Sequence, residues 1–126
     1  MKDRLAVIVA GLSFGDEGKG SVVDFLSRQN GTHTVVRYNG GSQAAHNVLT
    51  PESRHHTFSQ FGSGTFVPGV STHLSSFMLV NPLSMMEEER HLGSLGIRDV
   101  WDRTTIDRRS LVITPFARSA NRLREL

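Results

Sequence analysis

The chain has 126 residues, 37% of them hydrophobic, with 14 lysines and arginines against 12 aspartates and glutamates. That length suits one small domain with a core; the lack of cysteine excludes disulfides and thiolate metal sites, and a net charge of +2 on scattered arginines offers no basic stripe for nucleic acid. No apolar run is long enough to cross a membrane, and the one behind Met1-Lys2-Asp3-Arg4 is too short for a secretory signal, so a cytoplasmic protein with neither nucleic acid nor membrane as partner is expected.

In chain order, Leu5-Ala6-Val7-Ile8-Val9-Ala10 reads as a buried strand, being short, apolar, rich in β-branched residues and closed by Gly11. A glycine-rich loop over residues 11–18 follows. Residues 20–29 carry Val22, Val23, Phe25 and Leu26 at helical spacing, and Asn30-Gly31 stops that helix. Residues 32–38 form a second strand candidate, completing a βαβ unit and favouring a parallel sheet. Asn39-Gly40-Gly41 turns the chain into a polar segment that ends at Ala44-Ala45-His46.

Residues 51–56 read as loop and 57–61 as a short strand. Residues 62–72, with three glycines and a proline, read as loop-rich. Phe77-Met78-Leu79-Val80 reads as a strand. A helix is expected from Pro82 or Ser84 to Gly93 or Gly96, its Glu87-Glu88-Glu89 near the positive end and facing solvent. Leu111-Val112-Ile113 is a strand candidate, and residues 117–126 read as a helix without a stop signal, in the manner of a chain cut in mid-fold. The fold class is therefore α/β, a central and mainly parallel sheet with flanking helices, incomplete, with residues 1–126 as one unit.

The chemistry concentrates in Gly15-Asp16-Glu17-Gly18-Lys19-Gly20-Ser21. An apolar strand, a glycine-rich turn and one lysine before a helix can hold phosphates, because freed N–H groups, the helix N-terminus and the ammonium all attract an anion. Lys2 and Lys19 are the only lysines, against twelve arginines. The strict patterns G-x-x-x-x-G-K-[ST] and G-x-G-x-x-G are both missed, since Ser13 stands at the first glycine of one and Gly11 is followed by Leu12-Ser13 in the other. On spacing alone, a nucleotide loop and a plain strand-to-helix turn stay equally open. The carboxylates Asp16 and Glu17 would repel a phosphate unless they hold a metal or move a proton.

The string Phe14-Gly15-Asp16-Glu17-Gly18-Lys19-Gly20 with Val22-Val23-Asp24 resembles the signature loop of the adenylosuccinate synthetase family, W-G-D-E-G-K-G-K. Arg37-Tyr38-Asn39-Gly40-Gly41-Ser42-Gln43-Ala44-Ala45-His46 is similar to that family's next signature, a glycine pair followed by H-N-A-G-H. Weaker similarity continues through residues 58–64, 79–82 and 115–124, so it covers essentially the whole chain but only the N-terminal part of a much longer family protein.

The resemblance implies a purine nucleotide ligase: GTP phosphorylates the 6-oxygen of IMP, and L-aspartate displaces that phosphate to give adenylosuccinate. It implies that Asp16 is the general base at the purine N1 and a Mg²⁺ contact. It makes His46 the general acid and the carbonyl of Ala45 a further Mg²⁺ contact. Gly15, Glu17, Gly18, Lys19, Gly20 and Ser21, together with Gln43, Ala44, Ala45, His46 and Asn47, would line the nucleotide site. The resemblance also implies a P-loop-NTPase-like fold and, at family length, a homodimer.

The chain departs from the pattern where purine and phosphates meet. Ser21 replaces the second loop lysine, Ser42 and Gln43 replace the histidine and asparagine of the second motif, Ala45 replaces its glycine and Asn47 the threonine behind the acid histidine. A neighbouring branch makes 2-aminoadenylosuccinate from dGMP, and that reading, with ATP as phosphoryl donor, is the first alternative. An inactive remnant or a bare nucleotide-binding fragment is the second. The 126 residues alone are expected to bind nucleotide weakly and not to turn over, and the open sheet is expected to make them poorly soluble.

The plainer alternatives are that Asp16 caps the helix near Gly20, that Glu17 answers the helix dipole, and that His46 is an ordinary hydrogen-bonded histidine. The pair His55-His56 reads as structural, with no carboxylate partner, and Arg108-Arg109 as surface charge.

Overall fold

The computed structural model describes residues 5–29, 31–42 and 45–125. Helix α1 (Lys19–Gln29) leads into strand β1 (Thr34–Gly40), followed by β2 (His46–Leu49), β3 (His55–Phe58), β4 (Ser71–Val80), helix α2 (Pro82–Ser94), β5 (Thr104–Ile106), β6 (Leu111–Val112) and α3 (Pro115–Arg124). The main sheet runs β1-β4-β5, with β6 pairing the far end of β4, and every pair in it is parallel. Strands β2 and β3 form a separate antiparallel hairpin. Mixed helix and parallel sheet match the α/β expectation.

Local chemistry explains the element ends. Asn81 caps α2 by accepting the Ser84 N–H at 3.3 Å, and Pro82 fills the first helical turn, where no N–H is needed. Thr114 and Pro115 repeat the device at α3, with the Ala117 N–H at 3.1 Å. Gly31, at φ 57°, takes the left-handed turn after α1. Asn30, the other half of that expected stop, lies outside the described residues.

The core packs one face of the sheet against α2 and the hairpin. Along β4 the alternation of a strand buries Leu74, Met78 and Val80, which meet Met85 and Leu92 of α2, Val48 and Phe58 of the hairpin, and Phe61, Phe66 and Val100. The opposite face leaves Val36, Tyr38, Phe77, Leu79 and Leu111 exposed, in line with the open sheet expected.

Several expectations are corrected. Residues 5–10 form no strand: Leu5, Val7 and Ile8 are exposed. A strand exists only through a ladder, and no described strand runs beside this segment, so the βαβ unit lacks its first member. Asn39 and Gly40 extend β1 rather than turning. The short strand sits at His55–Phe58, partly inside the expected loop, and β4 is ten residues long, its first half hidden from the pattern by polar Ser71, Thr72 and His73. The pattern predicts neither β2, placed just after the polar segment, nor β5, and α3 starts at Pro115.

The largest correction concerns residues 62–66, read as loop and found buried throughout. A buried loop must satisfy its backbone polar groups. Here charged side chains do so. The Glu88 carboxylate accepts the N–H groups of Ser59 (3.0 Å), Gln60 (2.5 Å) and Phe61 (3.2 Å), and the Ser59 hydroxyl as well. Arg103 donates to the carbonyls of Thr65 (3.2 Å), Val67 (3.4 Å) and Val70 (2.5 Å), and Arg37 to those of Phe58 (3.4 Å) and Phe61 (3.3 Å). Gly64 is required by close approach, because a Cβ there would stand 2.8 Å from both Ser27 Oγ and Val35 Cγ2. Glu88 is thus buried rather than solvated, and Glu87-Glu88-Glu89 lie mid-helix, not in its first turn.

Candidate functional site

Helix α1 begins at Lys19, so the loop over residues 15–18 lies against its N-terminus, where free N–H groups and the helix dipole favour an anion. Gly15 and Gly18 adopt φ of 85° and 70°, conformations that cost other residues strain. These two positions explain the glycine richness of the motif. Asp16 is exposed at the rim.

The second motif reaches the first through the hairpin. Strand β2 packs on α1 at Gly20, where a Cβ would come within 2.9 Å of both His46 Cβ and the Asn47 carbonyl oxygen. Ser21 Oγ donates to that same carbonyl at 3.2 Å. Ser21, where the family has a lysine, thus clamps α1 to β2. A cleft of about 480 Å³ results, lined by residues 15–21 on one side and 45–47 on the other. Of the expected site residues, Gly15, Asp16, Glu17, Gly18, Lys19, Gly20, Ser21, Ala45, His46 and Asn47 all face it. Gln43 and Ala44 lie outside the described residues.

Glu17, which the sequence left between a dipole partner and a ligand contact, has a definite place. Its carboxylate accepts the N–H groups of Leu12 (2.8 Å) and Ser13 (2.7 Å) and pairs with Lys19 Nζ at 2.5 Å. The Lys19 ammonium, then these N–H groups, hold Glu17 below the usual carboxylate range. The lysine meant for a phosphate is therefore engaged by a neighbouring carboxylate.

His46 is half-buried at the start of β2. Burial, followed by the charges of Arg37 and Lys19, pushes its pKa below the ordinary value of 6.5, and only Asp16 works in the opposite direction. A ring so placed is neutral at pH 7 and gains a proton more readily when negative charge enters the cleft.

Among the described residues no group of three or more histidines, cysteines, aspartates or glutamates gathers as a metal cage. The Asp16 carboxylate and the Ala45 carbonyl on the two walls of the cleft suit a Mg²⁺ ion, which takes few protein oxygens and completes its shell with phosphate and water. Arg109 pairs with Asp107 at 2.9 Å on the surface, as expected of Arg108-Arg109. His56 does have a carboxylate neighbour, Glu88 on α2, contrary to the sequence reading. Glu88 and Arg103 were missed because the loop backbone groups they hold lie far away in sequence and leave no local motif; the pair Arg103–Asp99 is local but does not reveal them.

The sequence profile of the adenylosuccinate synthetase family matches residues 8–126. The chain belongs to that family. It is 33% identical over 120 residues to adenylosuccinate synthetases of an Exiguobacterium species and of Streptococcus sanguinis, covering 95% of this chain and 27% of each relative. The chain thus spans about a quarter of the length of these family members. In structure it is similar to the fully ligated adenylosuccinate synthetase of Plasmodium falciparum, at TM-score 0.78, 23% identity, and coverage of 91% of this chain and 26% of that one. It also resembles the succinoaminodeoxyadenylate synthetase PurZ of cyanophage S-2L, solved with dGMP and dATP, at TM-score 0.68, 15% identity, and coverage of 87% and 30%. Both likenesses bear out the P-loop-like α/β fold as a partial domain. No helix among the described residues is long and apolar enough to cross a membrane.

Proposed function

We propose that residues 1–126 form the N-terminal part of the nucleotide-binding domain of a purine nucleotide ligase of the adenylosuccinate synthetase type, acting in the cytoplasm and, at family length, as a homodimer. The observation that carries this reading is that the two family motifs, 26 residues apart at Ser21 and Asn47, line one cleft. The substrates are IMP, L-aspartate and GTP. Asp16 and the Ala45 carbonyl would hold Mg²⁺, which would supply neutralisation of phosphate charge.

In the first step the purine O6 attacks the γ-phosphorus and GDP leaves. Asp16, exposed at the rim, takes the N1 proton and so raises the nucleophilicity of O6. In the second step the aspartate amine attacks C6 and inorganic phosphate leaves. His46, neutral in the empty cleft, is drawn toward its protonated form by the incoming phosphates and then donates a hydrogen bond to the transferring group. Lys19 and the N–H groups of the loop hold phosphate oxygens, with Glu17 giving up the ammonium to them. The chemistry is mostly positioning and charge neutralisation, as phosphoryl transfer requires.

In a chain of family length carrying this segment, Asp16→Ala is expected to lower kcat by about 10²–10⁴-fold, the usual contribution of general base catalysis, with the fold intact by circular dichroism. Retained turnover, followed by the ultraviolet absorbance of adenylosuccinate, overturns the base assignment. The 126 residues by themselves are expected to bind Mg²⁺–GTP weakly and to form no adenylosuccinate.

A second reading starts from the departures at Ser42 and Ala45 from the family's second motif. Serine stands where the family has a histidine, and Asn81 Nδ2 at the cap of α2 donates to its hydroxyl at 3.5 Å. The loss of an imidazole from the second motif fits a purine other than IMP, such as dGMP, the nucleotide bound in the phage neighbour together with dATP. Pairing IMP or dGMP with GTP or ATP in a turnover assay separates the two readings.

A further inference from the structure

His56 lies on β3, 3% exposed, and belongs to none of the motifs above. Its ring meets Phe58 edge-on at 4.5 Å and stacks on His91 of α2 at 4.8 Å. The Nδ1 atoms of the two histidines are 2.6 Å apart. At that distance one ring donates and the other accepts, because two N–H groups cannot face each other. On the other side of the ring, His56 Nε2 has no hydrogen-bond partner among the described residues and stands 3.6 Å from Glu88 Oε2.

Those contacts decide the tautomer. With the hydrogen on Nδ1, the Nε2 lone pair would face a carboxylate oxygen inside the protein, setting two acceptors against each other where both are shielded from water. With the hydrogen on Nε2, the N–H points at Glu88, and Nδ1 accepts from His91 Nδ1–H. Of the two neutral forms, only the second gives every polar atom an opposite. The Glu88 carboxylate already accepts the donors of Ser59, Gln60 and Phe61, and Arg37 of β1 acts on it electrostatically. From the approach to β3, Arg54 lies over the Phe66 ring.

The chain of contacts runs on to the cleft. Val48 of β2 pairs with His56, and His46 pairs with Phe58. On its other side β2 is held by Ser21 and by the bare Cα of Gly20. His46 is thus placed by α1 from one side and, through β3, by α2 from the other.

We propose that His56 is a positioning residue: held in its Nε2–H form between His91 and Glu88, it ties the β2–β3 hairpin to α2 and so sets how His46 stands over the phosphate loop. The importance of His46 rests on the ligase reading, but the placement itself is testable without turnover.

The test uses the ¹⁵N-labelled chain. Two-bond ring correlations are expected to show His56 with a hydrogen on Nε2 and a bare Nδ1; a hydrogen on Nδ1 overturns the proposal. His56→Gln, which can still extend an amide donor toward Glu88, is expected to preserve both the hydrogen-exchange protection of the β2 amides and the His46 ring shifts. His56→Asn, too short to reach Glu88, is expected to lose about tenfold in that protection as the attraction of the buried N–H to the carboxylate is removed, and to move the His46 ring shifts while α1 amides stay unchanged. Equal behaviour of the two variants, or an unmoved His46 in His56→Asn, overturns the positioning role. Should His56→Asn not fold, the wild-type tautomer and the glutamine variant still decide. If these readouts hold and a family-length chain shows no ligation, it is the ligase reading that fails.

Discussion

Two glycine-bearing segments of this chain are held by the same device, a glutamate carboxylate that accepts neighbouring backbone N–H groups. In the loop over residues 11–18 the carboxylate is Glu17, four and five residues from the Ser13 and Leu12 N–H groups it accepts, and the surrounding Leu12, Ser13 and Phe14 are exposed. In residues 59–66 it is Glu88, 27 to 29 residues from its partners and buried beneath the core. The first carboxylate competes with water for its partners and can be exchanged for another anion. The second has nowhere to go without leaving buried N–H groups unpaired. The same chemistry thus serves an exposed loop and a buried scaffold, and water has access to the first alone.

Glu88→Leu is the severest test of that contrast. Removing a buried carboxylate from four donors is expected to cost about 3–5 kcal/mol, read as a lower urea midpoint; a loss like that of an exposed side chain would erase the distinction between the segments. Gly20→Ala comes next. Its Cβ would sit 2.9 Å from the Asn47 carbonyl oxygen, and such overpacking costs about 1–3 kcal/mol, with the His46 resonances displaced as β2 moves off α1.

Acidification probes the junction between the two regions, since His46 sits there. Its folded-state pKa is lowered, first by burial, so the unfolded chain takes up the proton more readily. Stability is therefore fully present above the ordinary 6.5, falls as pH drops through 6.5 toward the folded value, and levels off below it. A thermal melt series from pH 7.5 to 5 reads this fall, and Asp16→Asn, which removes the one influence raising the pKa, deepens it. Ile8→Ser is expected to do least. It alters an exposed side chain in a segment without strand partners, so a change within about 0.5 kcal/mol is expected, and a larger loss would show that residues 5–10 are packed in solution.

Much of the site was legible in the sequence because its parts are local. Gly15 and Gly18 mark a turn, Lys19 an anion partner, and residues 20–29 a helix, each from residues within one turn of each other. Helix α2 was equally plain from Pro82 at its start and from Gly93 and Gly96 at its end. The scaffold beneath was not legible. Residues 62–72 looked like open loop because glycine and proline are as common in a packed crossing as in a free turn, and Glu88 looked like surface charge because two other glutamates flank it. His56 looked unaccompanied because its carboxylate partner arrives from 32 residues away on another element.

Sequence alone thus determined the family and the residues that meet at the phosphate loop, since both are written in short strings whose chemistry is set by near neighbours. Tertiary structure decided the rest: that Gly20 and Ser21 bring His46 to the loop, that Glu17 engages Lys19, and that Glu88 and Arg103 turn a glycine-rich stretch into part of the core. Those outcomes depend on which distant backbone groups are shielded from water together, and no local string encodes that.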